Sequence, residues 1–290
     1  MKKIYLLTTE HLEDKLWFRE EEDFKVAMNY IAIEAACYPE VTILAFILMS
    51  NHLHFVIQGE LEDVELFIIH FKHRYSIYCR RKYGVKEFLR RNSWDIKTIS
   101  QEEEGIERAV AYVQMNCVAA NICSHPSQYP WGTGNAFFNQ YKTAGRYLAS
   151  LSIRSRKRML HSEEVLLPEE WRICDDGYIL PSEYVDVKSV ESIFRTANRM
   201  NYFLRNSSKA KKRMGLQEDK FPAFRDQTIL GTLPDLCRSL FRKGSFIELD
   251  HDEQVEFVKQ IRFRFSSDAN QIARVCNISY SAAAQLLDSI

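Results

Sequence analysis

The stretch Phe46-Ile47-Leu48-Met49-Ser50-Asn51-His52-Leu53-His54-Phe55-Val56-Ile57-Gln58 constrains this chain more than any other. Two apolar runs flank a polar break at Ser50-Asn51, which reads as two strands hinged at that break. Side chains alternate faces along a strand, so His52 and His54 share one face while Leu53 points into the opposite layer. At the usual rise the two imidazoles start about 7 Å apart, near enough to converge on one metal ion. The apolar neighbours place the strand centrally in a sheet, where a histidine needs a partner or a ligand. The tripeptide alone leaves two readings open: a ligand pair, or two satisfied core or surface histidines.

The flanking segments supply the rest of a sheet. Ile4 to Thr8 reads as a first strand, and Glu21 to Ala36 carries Phe24, Ala27, Met28, Ile31, Ala32 and Ala35 at helical spacing. Val41 to Met49 and Leu53 to Gln58 are the paired strands. A long helix from Val64 to Tyr83 stops at Gly84, Trp94 to Ile99 is a fourth strand, and Glu102 to Asn121 is the next helix, with acids at its start where they favour the dipole. The order strand, helix, strand, strand, helix, strand, helix predicts an α+β fold, a ferredoxin-like antiparallel sheet with helices on one face.

Two helices carry further chemistry. The Val64–Tyr83 helix ends in Lys72, His73, Arg74, Arg80, Arg81 and Lys82, interleaved with Tyr75, Tyr78 and Tyr83, and Lys86, Arg90 and Arg91 continue the charge. Such a run is either a solvated helix face or a path for single-stranded nucleic acid, stacking bases and neutralising phosphates. On the second reading Lys72, Arg74, Arg80, Arg81, Lys82, Arg90 and Arg91 are the candidate DNA contacts. In the next helix Tyr112 and Asn116 lie four residues apart and project from one face, one turn apart. Taken alone they are one aromatic and one polar residue on an amphipathic helix.

Together, Ser-Asn-His-Leu-His-Phe at 50–55, Tyr-Val-Gln-Met-Asn-Cys-Val-Ala-Ala at 112–120 and Tyr-Pro-Trp-Gly at 129–132 resemble the motifs of single-tyrosine HUH transposases, the REP-associated tyrosine transposases among them. Motif order and separation match as well. The resemblance spans residues 1–140, about half the chain, and Cys117 stands where the family usually has Pro. It implies that His52 and His54 are metal ligands, Asn116 the third ligand and Tyr112 the nucleophile. Two imidazoles and an amide oxygen leave positions for water and phosphate oxygens and suit Mg²⁺ or Mn²⁺. The implied reaction is cleavage and transfer of single-stranded DNA next to a hairpin through a 5′-phosphotyrosine intermediate, with no nucleotide cofactor. A protein that keeps the fold and binds hairpin DNA without cutting is the alternative. Replication-initiation and conjugative relatives rank last, since they often carry paired tyrosines and no P-loop pattern is present. Monomer and homodimer both remain open on the resemblance.

The second half of the chain is of another kind. Residues 141–187 read as a basic, loop-rich linker, with Arg154, Arg156, Lys157 and Arg158 followed by Pro168, Gly177 and Pro181. Residues 188–290 read as a helical domain: Lys188 to Arg205, a basic cluster Lys209-Ala210-Lys211-Lys212-Arg213, and helices at Asp252–Phe263, Asp268–Val275 and Tyr280–Asp288. A turn at Asn277 able to take a left-handed conformation gives the last two a helix-turn-helix-like form, with Ser279, Tyr280, Ser281 and Gln285 on the groove-facing side. Its recognition helix lacks Arg and Lys, so a plain three-helix bundle is the competing reading. Composition adds exclusions. Lys+Arg and Asp+Glu balance at 39 each, so nucleic-acid binding must rest on local clusters. Seven cysteines without a Cys-x-x-Cys pair read as reduced thiols. The apolar runs are too short for a signal peptide or a membrane span, and the expected location is the cytoplasm.

Overall fold

The computed structural model describes residues 2–10, 16–85, 89, 92–100, 104–139, 144–163, 167–207, 224–265, 267 and 269–289. Its apolar, β-branched runs form the strands β1 (Lys3–Thr9), β2 (Thr42–Met49), β3 (His52–Gly59) and β4 (Trp94–Thr98). They make one antiparallel sheet in the order β2-β3-β1-β4, with Thr8 opposite both His54 and Asp95, and Leu6 opposite Lys97. Helix α1 (Glu21–Cys37) joins β1 to β2 and helix α2 (Leu61–Tyr83) joins β3 to β4, so each crosses over a third strand. Gly84 ends α2 in the left-handed region at φ 68°, where only a residue without Cβ sits unstrained.

The two faces of the sheet have different partners. Phe55 meets Phe67 of α2 at 5.8 Å between ring centroids, and Leu53, Phe55 and Ile57 are fully buried. The helix pair therefore covers the odd-numbered face of β3. The even-numbered face, with His52 and His54, is covered by helix α3 (Gly105–Gln114). Between α1 and α2 a fully buried carboxylate organises the packing. Asp23 accepts from the Tyr78 hydroxyl at 2.8 Å, the Tyr83 hydroxyl at 2.8 Å and Lys82 Nζ at 2.8 Å.

The Tyr-Pro-Trp-Gly segment lies along the outer edge of β2. Leu48 N–H donates to the Trp131 carbonyl at 2.8 Å, Thr133 N–H to the Phe46 carbonyl at 3.1 Å, and the buried Tyr129 hydroxyl to the Leu48 carbonyl at 2.6 Å. A Cβ at Gly132 would stand 2.8 Å from the Phe46 carbonyl oxygen, so the close approach requires glycine. Edge protection by these bonds gives the motif a structural role.

The described part of 141–187 carries only short regular elements, yet it is built into the same core. Arg146–Tyr147 pairs with Arg172–Ile173, and Val185 bridges to Ile43. Buried Asn29 of α1 donates to the carbonyls of Met159 and Gly177 and accepts from Ile179 N–H. A segment with this many buried partners is a wrap around α1, and the apolar core runs unbroken from Ile4 to Leu204. The helix expected over 188–205 is two helices, Val187–Phe194 and Ala197–Asn206, interrupted at Arg195 with φ 65° and restarted by the Thr196 cap. Arg199 of the second reaches Glu104 at 3.1 Å and Glu107 at 3.0 Å beside α3.

A second core gathers Phe224, Ile229, Phe257, Ile261, Ile272 and Ala283, with Leu16 from the first half. Its helices are Asp226–Leu230, Leu233–Phe241, His251–Phe265, Ala269–Cys276 and Tyr280–Asp288. Asn277 between the last two takes φ 53°, and the Ser279 hydroxyl caps the final helix. This unit touches the sheet unit through Phe263, which packs on Phe24 at 5.5 Å and Tyr129 at 5.6 Å, and whose carbonyl accepts from Ser50 Oγ. None of the seven cysteines is in a disulfide. Among the described residues no helix is long and apolar enough to cross a membrane. The Lys209–Arg213 cluster lies outside the described residues.

Candidate active site

Alternation along β3 brings His52 and His54 to one face, with ring centroids 4.7 Å apart and planes at 86°. Rotation of the side chains has closed the spacing set by the strand rise. Both rings are buried and oriented through Nδ1. His52 Nδ1 lies 2.8 Å from Asn51 Oδ1, and His54 Nδ1 lies 2.9 Å from the Thr8 hydroxyl. An amide oxygen can only accept, so this contact fits the His52 tautomer with its proton on Nδ1 and Nε2 as the acceptor nitrogen. The Thr8 hydroxyl permits the same tautomer at His54. An oxygen fixing one ring nitrogen while the other faces a metal is the usual surrounding of a metal-ligating histidine.

Tyr112 completes a row of rings. Its ring centroid is 5.6 Å from that of His54, edge to face at 82°, and the residue is half-buried. Burial lifts the Tyr112 phenol above its ordinary value of 10.0, and the Lys97 ammonium pulls the other way. The helix expected through Asn121 is interrupted at Met115, and Asn116–Ala119 forms a separate short helix, α4. The cause is local. Asn116 Nδ2 donates to the carbonyls of Tyr112 at 2.9 Å and Val113 at 3.2 Å, acceptors that continuous helix would give to the backbone N–H of residues 116 and 117. That leaves the oxygen end of the carboxamide for a ligand. Asn116 is thus tied to Tyr112 through the helix, while His52, His54 and Tyr112 are brought into direct contact. Among the described residues no three His, Cys, Asp or Glu side chains group around a metal position.

Tyr112 borders an open cleft of about 480 Å³ over β1 and the outer strand β4, lined also by Leu6, Thr8, Glu10, Trp94, Asp95 and Lys97. Lys97 Nζ pairs with Asp95 at 2.8 Å. Lys97 reaches the cleft because register sets it opposite Leu6, on the face that carries Thr8. Thr8, Asn51 and Lys97 were not singled out from sequence. Asn51 adjoins the histidines and was visible as part of their motif, whereas Thr8 and Lys97 enter only through strand pairing.

The basic track of α2 lies on the other side of the sheet, and three of its members are engaged inside the fold. Lys72 is buried, donates to the Asn92 carbonyl and stands 4.5 Å from the Trp94 ring centroid; burial pulls its pKa down to about 8. Arg74 Nε pairs with buried Glu34 at 2.8 Å, and Lys82 holds Asp23. Arg74 and Lys82 thus compensate buried acids, and Lys72 is held by a backbone carbonyl. Arg80 and Arg81 are exposed. Arg90 and Arg91 lie outside the described residues.

No protein-family model matches the chain, and no curated protein matches it. Among solved structures, a REP-associated tyrosine transposase bound to a REP hairpin is similar over 48% of this chain and 80% of that one, with a TM-score of 0.39 and 15% identity.

Proposed function

We propose that this chain is a metal-dependent single-stranded DNA endonuclease and strand transferase of the single-tyrosine HUH kind, acting at DNA hairpins. The observation that carries the reading is the row His52, His54, Tyr112, with each histidine oriented through Nδ1 and the tyrosine opening onto a cleft. The strand order β2-β3-β1-β4 with two crossover helices supports a ferredoxin-like catalytic domain within residues 1–140. The left-handed Asn277 between two short helices supports a helix-turn-helix form at the other end of the chain.

The cleft receives the strand, and Lys97 is placed to meet a phosphate beside Tyr112. Tyr112 Oη attacks the scissile phosphorus as its proton is lost. The bond from phosphorus to the 3′ oxygen breaks, and that oxygen leaves with a proton as a free 3′-hydroxyl. The 5′ side stays on the tyrosine, and a 3′-hydroxyl from a second strand reverses the step without net hydrolysis. His52 and His54 Nε2 with Asn116 Oδ1 would hold Mg²⁺ or Mn²⁺, whose charge would polarise the phosphate and stabilise its oxygens. Arg80 and Arg81 are left as candidate DNA contacts outside the cleft.

The test is cleavage of end-labelled single-stranded hairpin oligonucleotides from the neighbourhood of the coding sequence, with Mg²⁺, Mn²⁺ or chelator. The reading predicts a metal-dependent cut that leaves a free 3′-hydroxyl and falls at least about a hundredfold in His54→Ala, the upper range for loss of a metal-site group. Hairpin binding with no cut under either metal would leave the non-cutting binder as the correct description.

A further inference from the structure

A cleft of about 580 Å³ lies between the sheet unit and the second core, beside the start of α1 and the end of α2, and its lining includes neither His52 nor Tyr112. Arg264, on the helix His251–Phe265, forms part of its wall and is 3% exposed. Its Nε donates to Gln260 Oε1 at 3.1 Å. Its Nη1 is buried and has no hydrogen-bond partner among the described residues. A guanidinium keeps its charge at any ordinary pH, so a donor left unmet in the interior is costly unless something else meets it.

The surroundings favour an anion. Arg19 borders the same cleft, its guanidinium 4.3 Å from the Tyr83 ring centroid. Thr228 and Gln227 line the opposite wall and add neutral donors. The acids nearby already have cations. Asp23 is paired with Lys82 at 2.8 Å, Glu20 pairs with the same ammonium, and Asp235 pairs with Arg238 at 3.3 Å. Along the wall Arg19 and Arg264 balance Glu20 and Asp235, and both of those acids are already paired with cations outside the wall, Lys82 and Arg238.

We propose that this cleft binds a phosphate group, with Arg264 and Arg19 as its cationic contacts and Thr228 and Gln227 as neutral donors. A fork-shaped guanidinium matches phosphate oxygens, and a buried one holds them more strongly than an exposed one. The phosphate belongs either to a free nucleotide or to a nucleic-acid strand. The site is independent of the reading of His52, His54 and Tyr112.

Calorimetric titration of the full chain, in chelator so that no metal-dependent chemistry intrudes, decides the matter. The probes are inorganic phosphate, deoxyadenosine 5′-monophosphate and a ten-nucleotide oligothymidylate. The proteins are wild type, Arg264→Lys and Gln227→Glu; Gln227 is exposed, so its variant folds even where the buried one fails. The expected result is saturable binding weakened about tenfold or more in both variants, the cost of a lost charge-assisted contact or an added like charge. Weakening confined to the oligothymidylate assigns the site to a strand, and weakening of the two small probes as well assigns it to free phosphate. No saturable binding of any probe, or affinities unchanged in Gln227→Glu, would overturn the proposal.

Discussion

At the scale of single residues, the candidate site depends on the groups that orient its histidines as much as on the histidines. Thr8 fixes His54 from 46 residues away in sequence, and Asn51 fixes His52 from the adjacent position. Thr8→Val keeps the shape and removes the hydroxyl, so Mn²⁺ affinity measured by titration is expected to fall about 10- to 100-fold with the fold intact. Unchanged affinity would mean that His54 needs no such support. Lys97→Met is expected to slow DNA cleavage severalfold at constant metal affinity, because it removes the cation that opposes burial of the Tyr112 phenol; equal single-turnover rates would count against that placement. That His52 and His54 share a face was legible because parity in a strand is a local rule, whereas Tyr112 was picked out by the motif resemblance. Thr8 and Lys97 were not, since their neighbours are chosen by register between strands that no short window contains.

At the scale of elements, α1 and α2 show why charge is a poor guide when read along one helix. Lys72, Arg74 and Lys82 look like a basic track, but each is bound within the fold. Asp23→Ala leaves the Tyr78 and Tyr83 hydroxyls and the Lys82 ammonium without their shared acceptor. It is expected to destabilise the protein by about 1–3 kcal/mol in urea unfolding, the cost of leaving buried donors without their acceptor. Arg80→Ala and Arg81→Ala are expected to stay within about 0.5 kcal/mol of wild type; a small loss in Asp23→Ala would show that the network is dispensable. The interruption at Met115 was likewise hidden. Its cause is the Asn116 side chain competing for backbone acceptors, a contest that helical periodicity does not register.

At the scale of the whole molecule, two apolar cores meet around Phe263 and along the phosphate-cleft candidate, and the stretch that punctuation marks as a linker is a buried wrap. Proline and glycine spacing marks breaks in regular structure and says nothing of burial, and backbone satisfied by Asn29 is as much part of a core as a strand is. Buried thiols in both cores set a common alkaline limit. Cys79 in the first and Cys276 in the second are each pushed by burial from 9.0 up to about 12. Between those values the unfolded chain holds fewer protons than the folded one, so stability is present below pH 9 and falls as pH rises toward 12. Lys72, lowered from 10.5 to about 8, works in the opposite sense between those values, so the decline is unopposed by it above 10.5. Urea midpoints measured from pH 8 to 11.5 are expected to drop most steeply at the upper end; a flat profile would contradict the burial of both thiols.

The claim that ties residue, element and molecule together is that Tyr112 takes the DNA strand covalently. The most direct measurement is a denaturing gel of the full chain with labelled single-stranded hairpin oligonucleotides and Mg²⁺ or Mn²⁺. A band shifted by the mass of the protein, present with metal, absent with chelator and absent in Tyr112→Phe, is the predicted result. A shifted band that persists in Tyr112→Phe, or hairpin binding with no such band in either metal, would contradict the account.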